Sequence, residues 1–229
     1  MEQEVEMRKP IDVMSGLINA MNIGGSSKID EYERQQEKIR QDKLYEVYKN
    51  CGVPEKFFET SLDMYIVKTE EEKHNLETVR EFAKNPQNRI LVLAGNNGNG
   101  KSMLSCGALR ECGGEYVTSS QLCIEYEAAT SYHSKRTREE ILRHCSKVAP
   151  IFVIDECGKY TLNPQLEQFI LSYVLCTRYE NNLASVVVTN GDKKEFLEFL
   201  GKSLFDRMTE VCTTLDFTGA SKRLARRAV

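Results

Sequence analysis

The chain is 229 residues long, 41% apolar, and carries 31 basic against 34 acidic side chains for a net charge of -3. That length holds one large α/β domain, or one medium domain with an appended segment, and the near-balance of charge gives no sign of a nucleic-acid partner beyond a local basic surface. No apolar run reaches the length of a bilayer span, and the charged start from Met1 to Glu6 lacks the apolar core of a signal peptide, so no membrane association is expected.

Eight cysteines, at 51, 106, 112, 123, 145, 157, 176 and 212, lie scattered in apolar segments with no Cys-x-x-Cys pair and three histidines to join them. They read as reduced, buried thiols of a soluble cytoplasmic protein without a zinc site.

Residues 1 to 50 are polar. Val13, Leu17, Ile18 and Met21 share one helical face, Gly24 to Ser27 interrupt it, and 28 to 49 are charged almost all round. This segment is either a solvated leader or a helical segment made to dock on a partner. Asn50 to Pro54 mark the domain boundary, giving 1–50 as a partner-binding segment and 51–229 as the globular domain.

Downstream, Thr69 with Glu72 predicts a capping box and a helix to about residue 84 carrying Leu76, Val79 and Ala83 on one face. Ile90 to Ala94 predict the first strand, and the helix after it ends at Gly113-Gly114. Tyr116-Val117 belong to a second strand, followed by a helix entered through Ser119-Ser120. Arg138 to about Ser146 reads as a capped helix. Pro150 opens the continuous apolar strand Ile151 to Ile154, of the kind covered on both faces in a parallel sheet. Asn163-Pro164 starts a helix to Tyr179, Ala184 to Val188 form a strand, Asp192 and Glu195 make another capping box, Gly201 separates two short helices, and Val211 to Phe217 form the last strand. The tail is basic, with Lys222, Arg223, Arg226 and Arg227. Five strands alternating with helices predict an α/β fold, a three-layer sandwich on a mostly parallel sheet, with the ligand at the strands' carboxyl ends.

The motif that organises the chain lies between the first strand and its helix: Gly95, Asn96, Asn97, Gly98, Asn99, Gly100, Lys101, Ser102 and Met103. Glycines at 95, 98 and 100 allow a backbone that points N–H groups at a polyphosphate, Lys101 supplies a cation for the β- and γ-phosphates, and Ser102 is a Mg²⁺ ligand. The strand ending at Asp155-Glu156 supplies a second metal-shell group, Asp155, and a base, Glu156, that orients or deprotonates a water. Thr189-Asn190 places a neutral polar group at the same end of the sheet, unless Asn190-Gly191 is simply a turn. The connection from Ser131 to Arg138, with Tyr132, Lys135, Arg136 and Arg138, either faces nucleic-acid phosphates and bases or is a solvated loop.

These residues, together with Gly52-Val53-Pro54, Phe57-Phe58, Asp155-Glu156-Cys157-Gly158, Arg178-Tyr179 and Leu204-Phe205-Asp206-Arg207-Met208, resemble the AAA+ ATPases of the DnaC type, which are replicative helicase loaders, and the related IstB transposition helpers. The resemblance covers 51 to 223. It implies ATP with Mg²⁺ as the bound group, ATP hydrolysis, Asn190 as a γ-phosphate sensor and Arg207 as a finger presented to a neighbouring subunit. It also implies self-association on ATP or DNA, single-stranded DNA held near 135–138, and a hexameric replicative DNA helicase gripped by residues 1–50. Arg223 is the one candidate for the arginine that a C-terminal lid would carry. Asn96, Asn97, Asn99 and Cys157 depart from the family's usual choices without removing a catalytic group. The alternatives are an IstB-like helper serving a transposase, a small-molecule P-loop kinase, and a nucleotide-gated adaptor with negligible turnover.

Overall fold

The computed structural model describes residues 31–32, 34–36, 38–39, 46–131, 134–159, 162–201, 210–219 and 221–222. The chain divides into two compact units, Met1–Val47 and Tyr48–Val229. In the first, the described residues between 31 and 39 are helical and exposed, Tyr32 and Ile39 among them.

In the second unit, two short 3-10 turns, Glu55–Phe57 and Leu62–Met64, lead into helix α1 (Glu70–Lys84). Strand β1 (Ile90–Gly95) and helix α2 (Lys101–Cys112) flank the glycine-rich loop. They are followed by β2 (Gly114–Thr118), α3 (Ser119–Ala128), α4 (Arg138–Cys145), β3 (Ile151–Cys157) and α5 (Pro164–Glu180). The last described elements are β4 (Ala184–Thr189), α6 (Lys193–Leu200) and β5 (Cys212–Phe217).

The strands lie in the order β2-β3-β4-β1-β5, and every pair is parallel. Strands buried on both faces need apolar residues at every position, which is why β1, β3 and β4 read as unbroken apolar runs. On one face Val92, Phe152, Ile154 and Val187 pack against apolar residues of α3, α4, α5 and α6. On the other, α1 packs on α2 and β5, while α2 covers β2, β3 and β4. The result is the expected three-layer α/β/α sandwich.

One buried cation ties the far end of this assembly. Arg178, wholly buried near the end of α5, donates to Ser185 Oγ at 2.9 Å, to the Cys145 and Val148 carbonyls at 3.0 and 2.7 Å, and to the Ala184 carbonyl. Burial lowers its pKa to about 10. Neutral acceptors on the α4 exit and the start of β4 thus surround a charge that would otherwise be costly to bury.

Three local readings change. Thr69 does cap α1, but Glu72 turns its carboxylate to the Lys68 N–H at 2.6 Å, so the reciprocal half of the capping box is absent. Helix α3 is capped by Thr118 with Gln121, a full box one residue before Ser119. Strand β3 includes Asp155 and Glu156 as read and runs one residue further, to Cys157, with a bulge that absorbs an extra residue there. The second short helix read after Gly201 lies outside the described residues.

Candidate active site

The phosphate loop owes its shape to glycines whose missing side chains face protein. Gly95, Gly98 and Gly100 all have positive φ, at 126, 85 and 90°. A Cβ on Gly95 would meet the Phe217 carbonyl at 2.3 Å, one on Gly98 the Ser221 hydroxyl at 2.1 Å, and one on Gly100 the Tyr65 ring at 2.7 Å. Residues 216–219 and 221–222 therefore pass against the loop as a strap. Asn96 N–H donates to the Phe217 carbonyl at 3.1 Å, and Lys222 N–H to the Gly98 carbonyl at 2.9 Å. Asn99, buried, gives its amide protons to the Phe217 and Gly219 carbonyls at 3.0 and 2.7 Å.

The strap is anchored at its other side as well. Lys222 donates to the Ile66 carbonyl at 2.7 Å, pairs with Glu72 at 2.9 Å and sits 3.7 Å from the Tyr65 ring centre. The Tyr65 hydroxyl in turn donates to the Asn99 carbonyl at 3.2 Å.

Inside the loop, the Lys101 ammonium donates to the Gly95 and Asn96 carbonyls, both at 2.6 Å, and the residue is only 4% exposed. A desolvated cation resting on its own loop's carbonyls, at the N-terminus of α2, is a site shaped for an anion. Asn96 and Asn97 are exposed at the loop's rim, and Ser102 and Met103 stand half-buried in the first turn of α2.

The carboxylates occupy the end of the neighbouring part of the sheet. Asp155 is buried; its Oδ2 accepts from the Tyr116 hydroxyl at 2.8 Å and its Oδ1 from the Glu156 N–H at 2.6 Å. Burial and the Asp155 charge push the Tyr116 phenol far above its ordinary value, so it stays a donor. The bulge separates the two acids. Ile154 pairs with Val187 and Cys157 with Thr189, so three steps on β3 match two on β4. Glu156 takes a positive φ of 60°, and its side chain is 51% exposed, 3.8 Å from the Lys159 ammonium. A non-glycine residue held there costs about 1–3 kcal/mol, and such strain gathers at functional sites.

Buried contacts hold the bulge. Glu167, in the first turn of α5 and 1% exposed, accepts at one oxygen from the Ser119 hydroxyl at 2.5 Å and from the Gly158 N–H at 2.8 Å. Thr189 donates to the Cys157 carbonyl at 3.1 Å. Asn190 follows Thr189 at the end of β4, and the Gly191 carbonyl accepts from Gly95 N–H at 3.0 Å, which joins this turn to the phosphate loop.

The fold thus brings the phosphate loop, Asp155, Glu156 and Asn190 to the carboxyl ends of three adjacent strands, β1, β4 and β3. The groups that could hold a metal here are the Ser102 hydroxyl and the Asp155 carboxylate, a set that would suit Mg²⁺, an ion that keeps several waters and takes other ligands from phosphate. The anion cradle and this hydroxyl–carboxylate set fit a Mg²⁺-nucleotide. Lys135 and Arg136 line a separate cleft of about 570 Å³ with Arg143, His144, Lys147 and Glu115. Arg138 does not join them: it lies 4.8 Å from the Tyr126 ring centre and donates to the Tyr126 carbonyl. Tyr132, Arg207 and Arg223 are outside the described residues. Tyr116, Ser119 and Glu167 carry no mark in the sequence: Tyr116 and Ser119 reach their partners across 39 and 48 residues, and Glu167 reaches back from the next helix.

No family model and no curated protein matches the chain. Solved structures do. The DnaC helicase loader superposes with a TM-score of 0.61 at 20% identity, over 72% of this chain and 100% of that one. DnaI matches at 0.57 and 18%, over 72% of this chain and 94% of that one. The replication initiator DnaA bound to AMPPCP and single-stranded DNA matches at 0.55 and 17%, over 73% of this chain and 51% of that one. The fold of the described chain is the one that these DnaC and DnaI structures share.

Proposed function

We propose that this protein is an ATPase that loads a hexameric replicative DNA helicase onto single-stranded DNA. What supports this reading is the conjunction of the glycine loop, Lys101, Ser102, Asp155 and Glu156 at the carboxyl ends of adjacent strands with a fold that accounts for the DnaC loader structure over its full length. Lys101 and the loop amides bind the β- and γ-phosphates, Ser102 and Asp155 hold the Mg²⁺ shell, and Asn190 contacts the γ-phosphate end. Bound Mg²⁺ offsets the charge that develops on the transferred phosphoryl group. Glu156, at the rim and accessible to solvent, orients a water and takes its proton. Arg207 acts in trans as a finger, so turnover depends on self-association.

Residues 1–50 grip the helicase. Lys135, Arg136, Arg143 and Lys147 outnumber Glu115 and Glu140 in the cleft beside α4 and give it the charge to hold the phosphates of a single strand. Among the described residues no helix is long and apolar enough to cross a membrane, which accords with a cytoplasmic protein.

An IstB-like helper would use the same ATPase core, so the partner decides between the two. Removing residues 1–47, which leaves the second unit and its buried Tyr48 whole, should abolish association with a replicative helicase hexamer in a pull-down while leaving basal ATP hydrolysis in place. Retained helicase binding by the truncated chain, or binding of a transposase and no helicase by the full chain, would overturn the assignment.

A further inference from the structure

We propose that Glu167 is a positioning residue whose carboxylate holds the Glu156 bulge in the conformation that presents Glu156 for hydrolysis. The inference rests on the reading of Glu156 as the base and adds to it a residue eleven positions downstream on a different element.

In an unbulged strand, alternation would send the side chains of Ile154 and Glu156 to the same face of the sheet, beneath α3 and α5. The apolar cluster on that face instead contains Phe152, Ile154 and Cys157. The bulge lets Cys157 take the core position, and Glu156 moves to the rim in a left-handed conformation. That conformation is unfavourable for a glutamate, so neighbours must impose it.

Glu167 is placed to do so. Its Oε1 receives both the Gly158 N–H, the first peptide beyond Cys157, and the Ser119 hydroxyl at the start of α3. One buried acceptor thereby fixes the turn after Glu156 to the start of α5 and to the start of α3. Both donors converge on the same oxygen, so the requirement is for an acceptor at that point in space. A buried negative charge is secondary.

This makes opposite demands on two conservative substitutions. Glu167→Gln keeps chain length and offers one carbonyl oxygen to both donors. Glu167→Asp keeps the charge but is one methylene too short to hold the 2.8 Å bond to Gly158. The full-length protein and these variants would be compared by ATP turnover, nucleotide affinity and the Gly158 amide in proton–nitrogen correlation spectra. The lock predicts that Glu167→Asp and Glu167→Ala lose about 10- to 100-fold in turnover while affinity stays within about twofold, and that Glu167→Gln keeps most activity.

The Gly158 amide reports the lock independently of turnover. It should exchange slowly in the wild type and Glu167→Gln, and rapidly in Glu167→Asp. Full activity in Glu167→Asp with loss in Glu167→Gln would assign Glu167 an electrostatic role and overturn the proposal. So would equal turnover in all variants, or affinity falling in step with turnover. If the wild type hydrolyses no ATP, the ATPase reading fails, and an unprotected Gly158 amide in the wild type would separately refute the lock.

Discussion

The phosphate loop and the carboxylate rim meet at one edge of the sheet and are held by different means. The loop is held at its own backbone atoms: Asn96 N–H and the Gly98 carbonyl bond the strap's main chain, the Gly95 and Asn96 carbonyls take the Lys101 ammonium, and the buried Asn99 amide adds two side-chain bonds to strap carbonyls. The rim depends on side chains from elements distant in sequence, with Tyr116 on Asp155, Thr189 on the Cys157 carbonyl, and Ser119 and Glu167 on the turn beyond it. A backbone-held loop tolerates substitution at exposed positions such as Asn96 and Asn97. A rim held by side chains transmits each substitution to the carboxylates it supports.

The strongest way to break the loop half is Lys101→Ala. It removes the ammonium from the loop interior and leaves the strap contacts in place. Losing a charge-assisted contact to phosphate costs about 2–3 kcal/mol, roughly a hundredfold in affinity, readable by nucleotide titration of the folded variant. Unchanged affinity would mean that the loop does not bind phosphate.

Tyr116→Phe tests the rim with a smaller effect. It deletes one oxygen and leaves a buried Asp155 oxygen short of its donor, at a cost of about 2 kcal/mol in denaturant unfolding. Because Tyr116 bonds the carboxylate proposed for the metal shell, the Mg²⁺ dependence of nucleotide binding should change while Mg²⁺-free binding does not. An equal change in both would show that the two halves are not separable in this way.

The same contrast explains what could be read from the sequence. The phosphate loop is legible because its chemistry is local: glycines, a lysine and a serine at fixed offsets act within one turn of chain. Asp155 and Glu156 are legible for a similar reason, as acids closing an apolar strand. The strand boundaries of β1 and β4 and the helix from Pro164 also follow from local periodicity and capping. Glu167 and Tyr116 carry no such mark, since a glutamate in a helix's first turn and a tyrosine in a short strand are ordinary there. Their roles come from the parallel pairing that sets Tyr116 beside Val153 and from α5 crossing the end of β3. Asn99 is visible as a departure from the usual loop composition, but its reason is the strap, more than a hundred residues away. The glycines were rightly tied to unusual backbone angles, and the structure adds that their bare faces meet Phe217, Ser221 and Tyr65.

The central claim is that this edge of the sheet binds ATP through the loop and hydrolyses it through the rim. Its most direct test is a paired measurement of ATP affinity and turnover in Glu156→Gln. That substitution keeps the size of an exposed side chain and leaves Asp155 and Lys101 untouched. The account predicts wild-type affinity with hydrolysis nearly abolished. Wild-type turnover, or loss of binding together with turnover, would contradict it.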